Sequence, residues 1–280
     1  MKTLWGILKE TFSEWNRHEA PRMGAALAFY TILSLAPLLI LMISIASTVL
    51  GEKAAHEQIA SQIQRYVGPE GGKAIETVIL SAHRRSGVWA TIISLIVLFF
   101  GASGVFVELR SDLNKMWNVT PKTSSAIGGM IRERLFSFLM VLSAGILILL
   151  SLLTSAAVTA VGKYFAGSVL LLRWVDILVS FVILTVLFAV IFKYVPEVHI
   201  EWRDVWVGAI TTAVLFNIGK WLIGLYLGKA GVGSPYGAAG SLVAMVVWVY
   251  YSAQIFFFGA EFTRVYALRT GHQMKPRKAA

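Results

Sequence analysis

Ionisable side chains inside long apolar stretches are the residues of this sequence whose chemistry needs an explanation. Lys220 lies in such a stretch, three residues after Asn217 and six before Tyr226. A charge near the centre of a bilayer costs about 2.5–3.5 kcal/mol on insertion scales, so it needs a partner, water or a functional reason. Two interpretations follow. Lys220 faces the interior of a helix bundle and pairs with Asp176, or it snorkels to the lipid headgroups.

Glu261 raises the same question near the end of the last apolar stretch. It follows Gly259 and Ala260, and small residues let neighbouring helices approach closely. Its carboxylate can form a structural bond between helices, or it can carry a proton or contact a substrate headgroup. Its expected ion partners are arginines near the same ends of the apolar stretches: Arg22, Arg110 and Arg264.

Polar residues of the first apolar stretch surround a proline. Tyr30, Ser34 and Pro37 share one region, and Pro37 removes the backbone hydrogen bond to Leu33. The pattern predicts a kinked helix. A kink beside polar groups can mark the wall of a cavity, and it can equally be a packing feature.

Further polar candidates lie at or near helix ends. Gln254 can hydrogen-bond across a bundle. Glu108, like Glu261, can form a structural bond between helices, or it can carry a proton or contact a substrate headgroup. Tryptophans near the ends of apolar stretches are typical of headgroup anchors. The candidates expected at the inner face are Glu108, Arg110, Asn114, Trp202 and Arg203.

No pattern in the sequence is typical of an enzyme. The chain has no Cys, and its five His residues are scattered outside the apolar stretches. A nuclease would need clustered carboxylates for Mg²⁺, and the densest acidic spot, with Glu197, His199 and Glu201 after Pro196, is typical of a solvated loop. We therefore expect no catalytic residues, no metal site and no cofactor.

The elements that must position these residues are helices that cross a membrane. Of 280 residues, 57% are hydrophobic and 14% are charged, whereas soluble domains carry about 25% charged residues. Continuous apolar runs of about 20 residues favour helices over barrel strands. The sequence predicts an all-α polytopic membrane protein of about six spans: 24–50, 88–109, 135–161, 174–195, 205–227 and 239–265.

Basic residues predict the orientation of the six spans. Lys and Arg are roughly twice as frequent in the segments on the side of the two termini as in those on the other side. Basic loops stay in the cytoplasm, so both termini are expected there. The net charge of +10 is assigned to these loops rather than to a nucleic-acid partner.

The flanking segments have patterns of their own. Residues 1–23 form a charged, amphipathic segment with no cleavable signal peptide, and residues 266–280 form a basic tail. Two short amphipathic helices are predicted to cap the outer face over 51–87. Glycines in 228–240 indicate a flexible outer loop, or alternatively a re-entrant one. Five apolar side chains of the N-terminal segment fall near helical spacing and can lie along the interface: Trp5, Ile7, Leu8, Phe12 and Trp15.

Five stretches of the sequence form a recognisable set: AALAFYTILSLAPLL at 25–39, Leu113-Asn114 with Trp117, Trp202-Arg203 before Val207-Gly208-Ala209, Lys220 with Tyr226, and Tyr236-Gly237-Ala238 before LVAMVVWVYYSAQIFFFGAE at 242–261. Together they resemble the YihY/BrkB family of bacterial inner-membrane proteins, formerly mislabelled as ribonuclease BN. Val207 departs from the proline expected of the family before Gly-Ala. The resemblance implies six spans and an inner-membrane location, and it implies no settled activity.

Three functions stay open. The favoured hypothesis is a transporter or flippase for a lipid or amphiphilic envelope component, with a cavity lined by Tyr30, Lys220 and Glu261. The alternative is a structural or assembly protein of the envelope, and a membrane-embedded enzyme is the third. Membrane lipids are the expected partners in each case, together with envelope proteins in the second.

Overall fold

The computed structural model describes residues 2–51, 57, 59, 101, 104–119, 169–230, 240–271 and 275–276. Nearly all of these residues are helical. The helices are α1 (Lys2–Arg17), α2 (Ala20–Leu50), α3 (104–116), α4 (Val169–Tyr194), α5 (Trp202–Ala230) and α6 (Gly240–Arg269). Two strands of two residues each, β1 (Val198–His199) and β2 (Lys275–Pro276), pair antiparallel between the α4–α5 turn and the C-terminal tail.

Three helices of the described part are long and apolar enough to cross a membrane. The apolar segments are Ile177–Tyr194 in α4, Trp202–Tyr226 in α5 and Val243–Arg269 in α6. They coincide with the fourth, fifth and sixth predicted spans, and α2 covers the first. Outside the described residues lie the third predicted span, most of the second, residues 231–239 of the predicted loop 228–240 and almost all of the outer cap 51–87. The count of six therefore stays a prediction.

Helices α5 and α6 approach each other through a reciprocal pair of glycines and threonines. A Cβ atom added to Gly208 would lie 1.8 Å from Thr263 Oγ1, and one added to Gly259 would lie 2.0 Å from Thr212 Oγ1. Each threonine hydroxyl donates a 2.7 Å hydrogen bond to the carbonyl oxygen four residues earlier in its own helix. The two helices therefore meet closely without leaving a hydroxyl unbonded in a low-dielectric region.

The main hydrophobic core lies near one end of the bundle and contains residues of all five helices from α2 to α6. Aromatic rings fill its centre, where Phe192 and Phe256 lie 5.3 Å apart and Phe188 packs on both. Leu113 of α3 and Val198 of β1 are buried in the same core. We call this end the terminal face, because α1, the α4–α5 turn and the C-terminal end of α6 all lie there.

Helix α1 packs across the last turns of α6. Ile7 is buried against Phe262 and Val265, and the Thr11 hydroxyl donates to the Ile7 carbonyl in the same contact. The chain then reverses at Glu19, whose φ of 57° is left-handed, and α2 begins at Ala20. This reversal places the residues between α1 and α2 directly beside α6.

Candidate functional site

Glu261 is the centre of a buried polar cluster at the terminal face. Its side chain is 0% exposed. Oε1 of the carboxylate contacts Nδ1 of His18, and Oε2 accepts a 3.3 Å hydrogen bond from Nη1 of Arg264. A buried carboxylate needs such partners, because an isolated ion in a low-dielectric interior is strongly destabilised.

Local sequence explains how these three groups meet. His18 lies in the turn between α1 and α2, and its backbone N–H still donates to the Glu14 carbonyl at 2.9 Å, as in a helix. Gly259 and Ala260 keep α6 close to its neighbours at this level. Arg264 is three residues after Glu261 on the same helix, the spacing at which side chains of a helix meet.

A second carboxylate extends the cluster along α1. Glu14 Oε2 accepts a hydrogen bond from Arg264 Nη1 at 2.9 Å, so one guanidinium bridges two carboxylates. Arg17 pairs with Glu14 from the exposed side. The Glu261 carboxylate is thus held between a ring nitrogen of His18 and the guanidinium of Arg264, whose positive charge compensates it.

Gln254 lies on the same face of α6, seven residues before Glu261, which is about 10 Å further along the helix. Its amide packs against α2, where a Cβ atom on Gly24 would lie 2.1 Å from Nε2. Both Nε2 and Oε1 are shielded from solvent and have no hydrogen-bond partner among the residues that the structure describes. An amide in this state is costly, because its polar atoms have lost water without gaining a replacement.

A second polar contact joins α3 to the α4–α5 turn. Arg110 pairs with the carboxylate of Glu197, and the Asn114 side-chain oxygen accepts a 2.8 Å hydrogen bond from the Glu197 backbone N–H. Glu197 is thus half-buried and held in place by Arg110 and Asn114, two of the polar residues predicted at the inner face. The sequence interpretation of Glu197 as part of a solvated loop was wrong in this respect.

Lys193 and Trp202 make contacts across the α4–α5 turn. The Lys193 ammonium donates to the Ile200 carbonyl and lies 5.2 Å from the centroid of the Trp202 ring. Trp202 also stacks edge-on against Tyr194 at 6.1 Å. Arg203 is exposed beside this group. The turn therefore presents aromatic and basic groups at the end of two spanning helices.

Asp112 is a buried acid that the sequence interpretation missed. It lies one turn beyond the predicted end of the second span, is 7% exposed, and has one carboxylate oxygen without a hydrogen-bond partner in the described part of the chain. Burial, followed by the negative charge of Glu108, raises its pKa to about 7, against a smaller lowering by Lys115. Within the described ranges, no three His, Asp or Glu side chains are grouped so that they could hold a metal ion.

The candidates on α2 lie away from Glu261. The Tyr30 ring packs on Gly104 of α3, 2.7 Å from where a Cβ atom would be, and Ser34 packs on Gly101 at 3.1 Å. Ser34 is buried and its hydroxyl donates to the Thr31 carbonyl. Both residues contribute to α2–α3 packing. Helix α2 is continuous through Pro37, whose side chain is outside the described part.

The candidates on α5 are spread along that helix. Asn217 donates a 2.8 Å hydrogen bond to the Ala213 carbonyl of its own helix. Lys220 is half-buried, and Tyr226 is exposed. The side chain of Asp176 lies outside the described residues, so its pairing with Lys220 stays a prediction.

The expected partners of Glu261 are only partly correct. Arg264 contacts its carboxylate as predicted. Arg110 pairs with Glu197 instead, and Arg22 is exposed 3.7 Å from Glu19. Among the described residues, His18 and Glu14 complete the cluster, and both were missed. A signal was present, because Ile7, Thr11, Glu14 and His18 recur at three- and four-residue spacing and so form one face of a helix.

Comparison with known proteins agrees with the resemblance inferred from the sequence. A family model described as "Virulence factor BrkB" matches residues 11–280. A UPF0761 membrane protein of Actinobacillus pleuropneumoniae serotype 5b is 24% identical over 97% of this chain and 96% of its own length. YfkH of Bacillus subtilis, which is named as ribonuclease-like, is 25% identical over 91% of this chain and 93% of its own length.

A UPF0761 membrane protein of Pseudomonas aeruginosa (strain LESB58) is longer. It is 28% identical over 86% of this chain, and the matched region spans 58% of that relative. No solved structure matches the chain. The family match extends over almost the whole sequence and includes α2 to α6 with the Glu261 cluster, so this chain is a membrane protein that belongs to the Virulence factor BrkB family.

Proposed function

We propose that this protein is a transporter or flippase that moves a lipid or amphiphilic envelope component across a bacterial inner membrane, with both termini in the cytoplasm. The observation that carries the proposal is the buried amide of Gln254, which has no hydrogen-bond partner among the described residues. A polar headgroup or a water molecule that passes along the α2–α6 interface would supply that partner.

The depth of Gln254 supports this role. The apolar segment of α6 is Val243–Arg269, 27 residues, and at about 1.5 Å per residue it spans about 40 Å. Gln254 lies close to its middle, where the bilayer offers no water and an unbonded amide is most costly. Intramembrane polar groups are expensive and are commonly found along substrate pathways.

The polar groups nearby give the pathway a direction. From Gln254 the same face of α6 leads to the terminal face, where Glu261, His18 and Arg264 form a structural cluster at the end of the pathway. Lys220 is half-buried on the neighbouring helix α5. Cationic and amide groups suit the phosphate and hydroxyl oxygens of a headgroup, whereas the exposed apolar side chains of the helices suit its acyl chains.

Lipid movement can be measured directly in reconstituted vesicles. The full chain is placed in vesicles of phosphatidylethanolamine and phosphatidylglycerol with a trace of fluorescent-headgroup lipid, and dithionite then bleaches the outer leaflet. A flippase should make bleaching nearly complete. The Gln254→Met variant, similar in size but without the amide, should flip at least about tenfold more slowly, which corresponds to one lost hydrogen bond of about 1.4 kcal/mol in the barrier.

Val246→Met is the matched control, because Val246 is an exposed residue of the same helix. It should flip lipid at the wild-type rate. If folded wild-type protein bleaches no more than protein-free vesicles with this and other envelope lipids, the transport proposal fails and the envelope-assembly alternative is favoured. An RNA-cleavage assay on the same preparation tests the activity suggested by the name of YfkH.

A further inference from the structure

Helix α1 has three sides, and one of them is apolar and exposed. Ile7 belongs to the side that packs on α6, and His18, in the turn directly after α1, contacts α6 on the same side. About a third of a turn away lies the apolar side, formed by Leu4, Trp5 and Phe12, whose side chains are 60%, 73% and 61% exposed. Such large apolar side chains on the surface indicate a contact with another apolar medium.

The third side of α1 is polar. Lys9, Ser13 and Arg17 are exposed on it, and they follow the apolar residues around the helix at 100° per residue. The apolar and polar sides are therefore both open, with the α6 contact between them. This is the arrangement of a helix that lies in the plane of a membrane interface, because one side meets acyl chains while the other meets water.

The position of α1 on α6 places it at headgroup depth. Ile7 packs on Phe262 and Val265, and Arg269 Nε donates a 2.8 Å hydrogen bond to Glu10. These α6 residues form the last turns of the apolar segment Val243–Arg269. A segment of about 40 Å covers the hydrocarbon core together with the headgroup regions, so its last turns reach one membrane surface.

We propose that α1 lies in the headgroup region of the leaflet at the terminal face, with Leu4, Trp5 and Phe12 inserted between the lipids. The ring of Phe12 stacks on that of Trp15, with centroids 5.7 Å apart, and Trp15 is itself partly buried against the main core. Lys9 borders the apolar side and reaches lipid phosphates. Ile7 faces α6 and does not insert. This inference depends on the membrane location of the chain and not on lipid transport.

Spin labels can test which side of α1 meets lipid. The chain contains no Cys, so Phe12→Cys and Ser13→Cys each create one labelling site in the full-length protein. In vesicles of phosphatidylethanolamine and phosphatidylglycerol, a label at position 12 should collide more with oxygen, which concentrates in lipid. A label at the adjacent position 13 should collide more with a water-soluble nickel chelate.

Two outcomes would overturn the proposal. A label at position 12 that is more accessible to the nickel chelate than to oxygen would show that this side faces water. A label shielded from both reagents would show that protein, either a second copy or another segment, covers it. Trp5→Cys and Lys9→Cys form a second pair with the same expected contrast, in case the first pair does not fold.

Discussion

His18 and Glu261 are 243 residues apart in the chain, yet their side chains form a buried contact at the junction of α1, α2 and α6. His18 is fixed by the turn that begins α2, and Glu261 is fixed by the close approach of α6 to its neighbours. The contact therefore ties the N-terminal helix to the last spanning helix. Its geometry favours the structural interpretation of Glu261 over the proton-carrying one.

Removing the Glu261 charge should lower stability. In Glu261→Gln the fully buried carboxylate is lost, and among the described residues Arg264 keeps only Glu14 as a partner, so we expect a loss of about 3–5 kcal/mol. Thermal unfolding in detergent measures it. Lipid flipping should fall only in proportion to the amount of folded protein. A stable but inactive Glu261→Gln protein would show instead that Glu261 contacts substrate or carries a proton.

Coupling between the two residues can be measured by a double-mutant cycle. His18→Gln should destabilise the protein by itself, and the double variant His18→Gln with Glu261→Gln should lose less than the sum of the two single losses. The control is Arg22→Gln, because Arg22 is exposed and pairs with Glu19 at 3.7 Å. Fully additive losses for His18 and Glu261 would contradict a direct contact.

The two ion pairs between α1 and α6 should differ in strength. Glu14 and Arg264 are largely buried, whereas Glu10 and Arg269 are about 40% exposed. Glu14→Gln should therefore cost about 2–4 kcal/mol, because it leaves part of the Arg264 charge uncompensated, and Glu10→Gln should cost at most about 1 kcal/mol. Thermal unfolding of the two variants side by side tests the order. Equal losses of stability in the two variants would mean that burial does not determine the strength of these ion pairs.

Close packing of α5 and α6 should depend on Gly259. An added Cβ atom would lie 2.0 Å from Thr212 Oγ1 and 2.8 Å from Thr212 Cβ, so Gly259→Ala must push the helices apart at a cost of about 1–3 kcal/mol. Gly224→Ala is the matched control, since no atom of the described residues lies within 4 Å of an added Cβ atom there. It should be neutral or stabilise by up to about 1 kcal/mol. A fully stable Gly259→Ala protein would refute this packing.

Local features of this fold were predictable from the sequence, whereas long-range contacts were not. Apolar runs of about 20 residues located α4, α5 and α6, because lipid selects for length and apolarity in each helix separately. Arg264 was predicted as a partner of Glu261 because helical spacing alone brings residues i and i+3 together. His18 could not be predicted as a partner of Glu261, because their contact depends on the packing of α1 on α6, and a local pattern does not indicate which helices pack together.

The same distinction applies to the acidic residues. Glu197 follows a proline in a polar stretch, so its composition indicated a solvated loop, and only the approach of α3 gives it Arg110 and Asn114 as partners. Asp112 lies among polar residues too, and its burial comes from the core that α3 shares with its neighbours. Burial of a polar side chain at a helix end is a tertiary property.

Substitution of Lys220 should show whether its side chain faces the bundle interior or snorkels to the headgroups. It is half-buried in the spanning segment Trp202–Tyr226. If it faces the transport pathway, Lys220→Met should abolish lipid flipping while the protein still folds and inserts. Trp221→Phe, a change at the exposed neighbouring residue, should leave flipping unchanged. An active Lys220→Met protein would favour snorkelling, since removal of a lysine that only reaches headgroups is nearly neutral.

Asp112 should make stability depend on pH near neutrality. Its pKa is raised from 3.8 to about 7, chiefly by burial and then by Glu108. Between about pH 4 and pH 7, Asp112 is therefore protonated in the folded state and ionised in the unfolded state. The contribution of this proton to the free energy of unfolding is fully present below about pH 4. It decreases as pH rises, by up to about 1.4 kcal/mol per pH unit, until about pH 7.

The Asp112→Asn variant, which carries no titrating group at this position, tests the assignment. It should be more stable than the wild type at pH 8, because the wild-type carboxylate is then charged, buried and close to Glu108. The difference should shrink as pH falls to 5, where the wild-type carboxyl is protonated in the folded state. Chemical denaturation in detergent at several pH values gives both curves. A constant difference between variant and wild type from pH 5 to 8 would mean that Asp112 is ionised throughout and that its burial is compensated by partners outside the described residues.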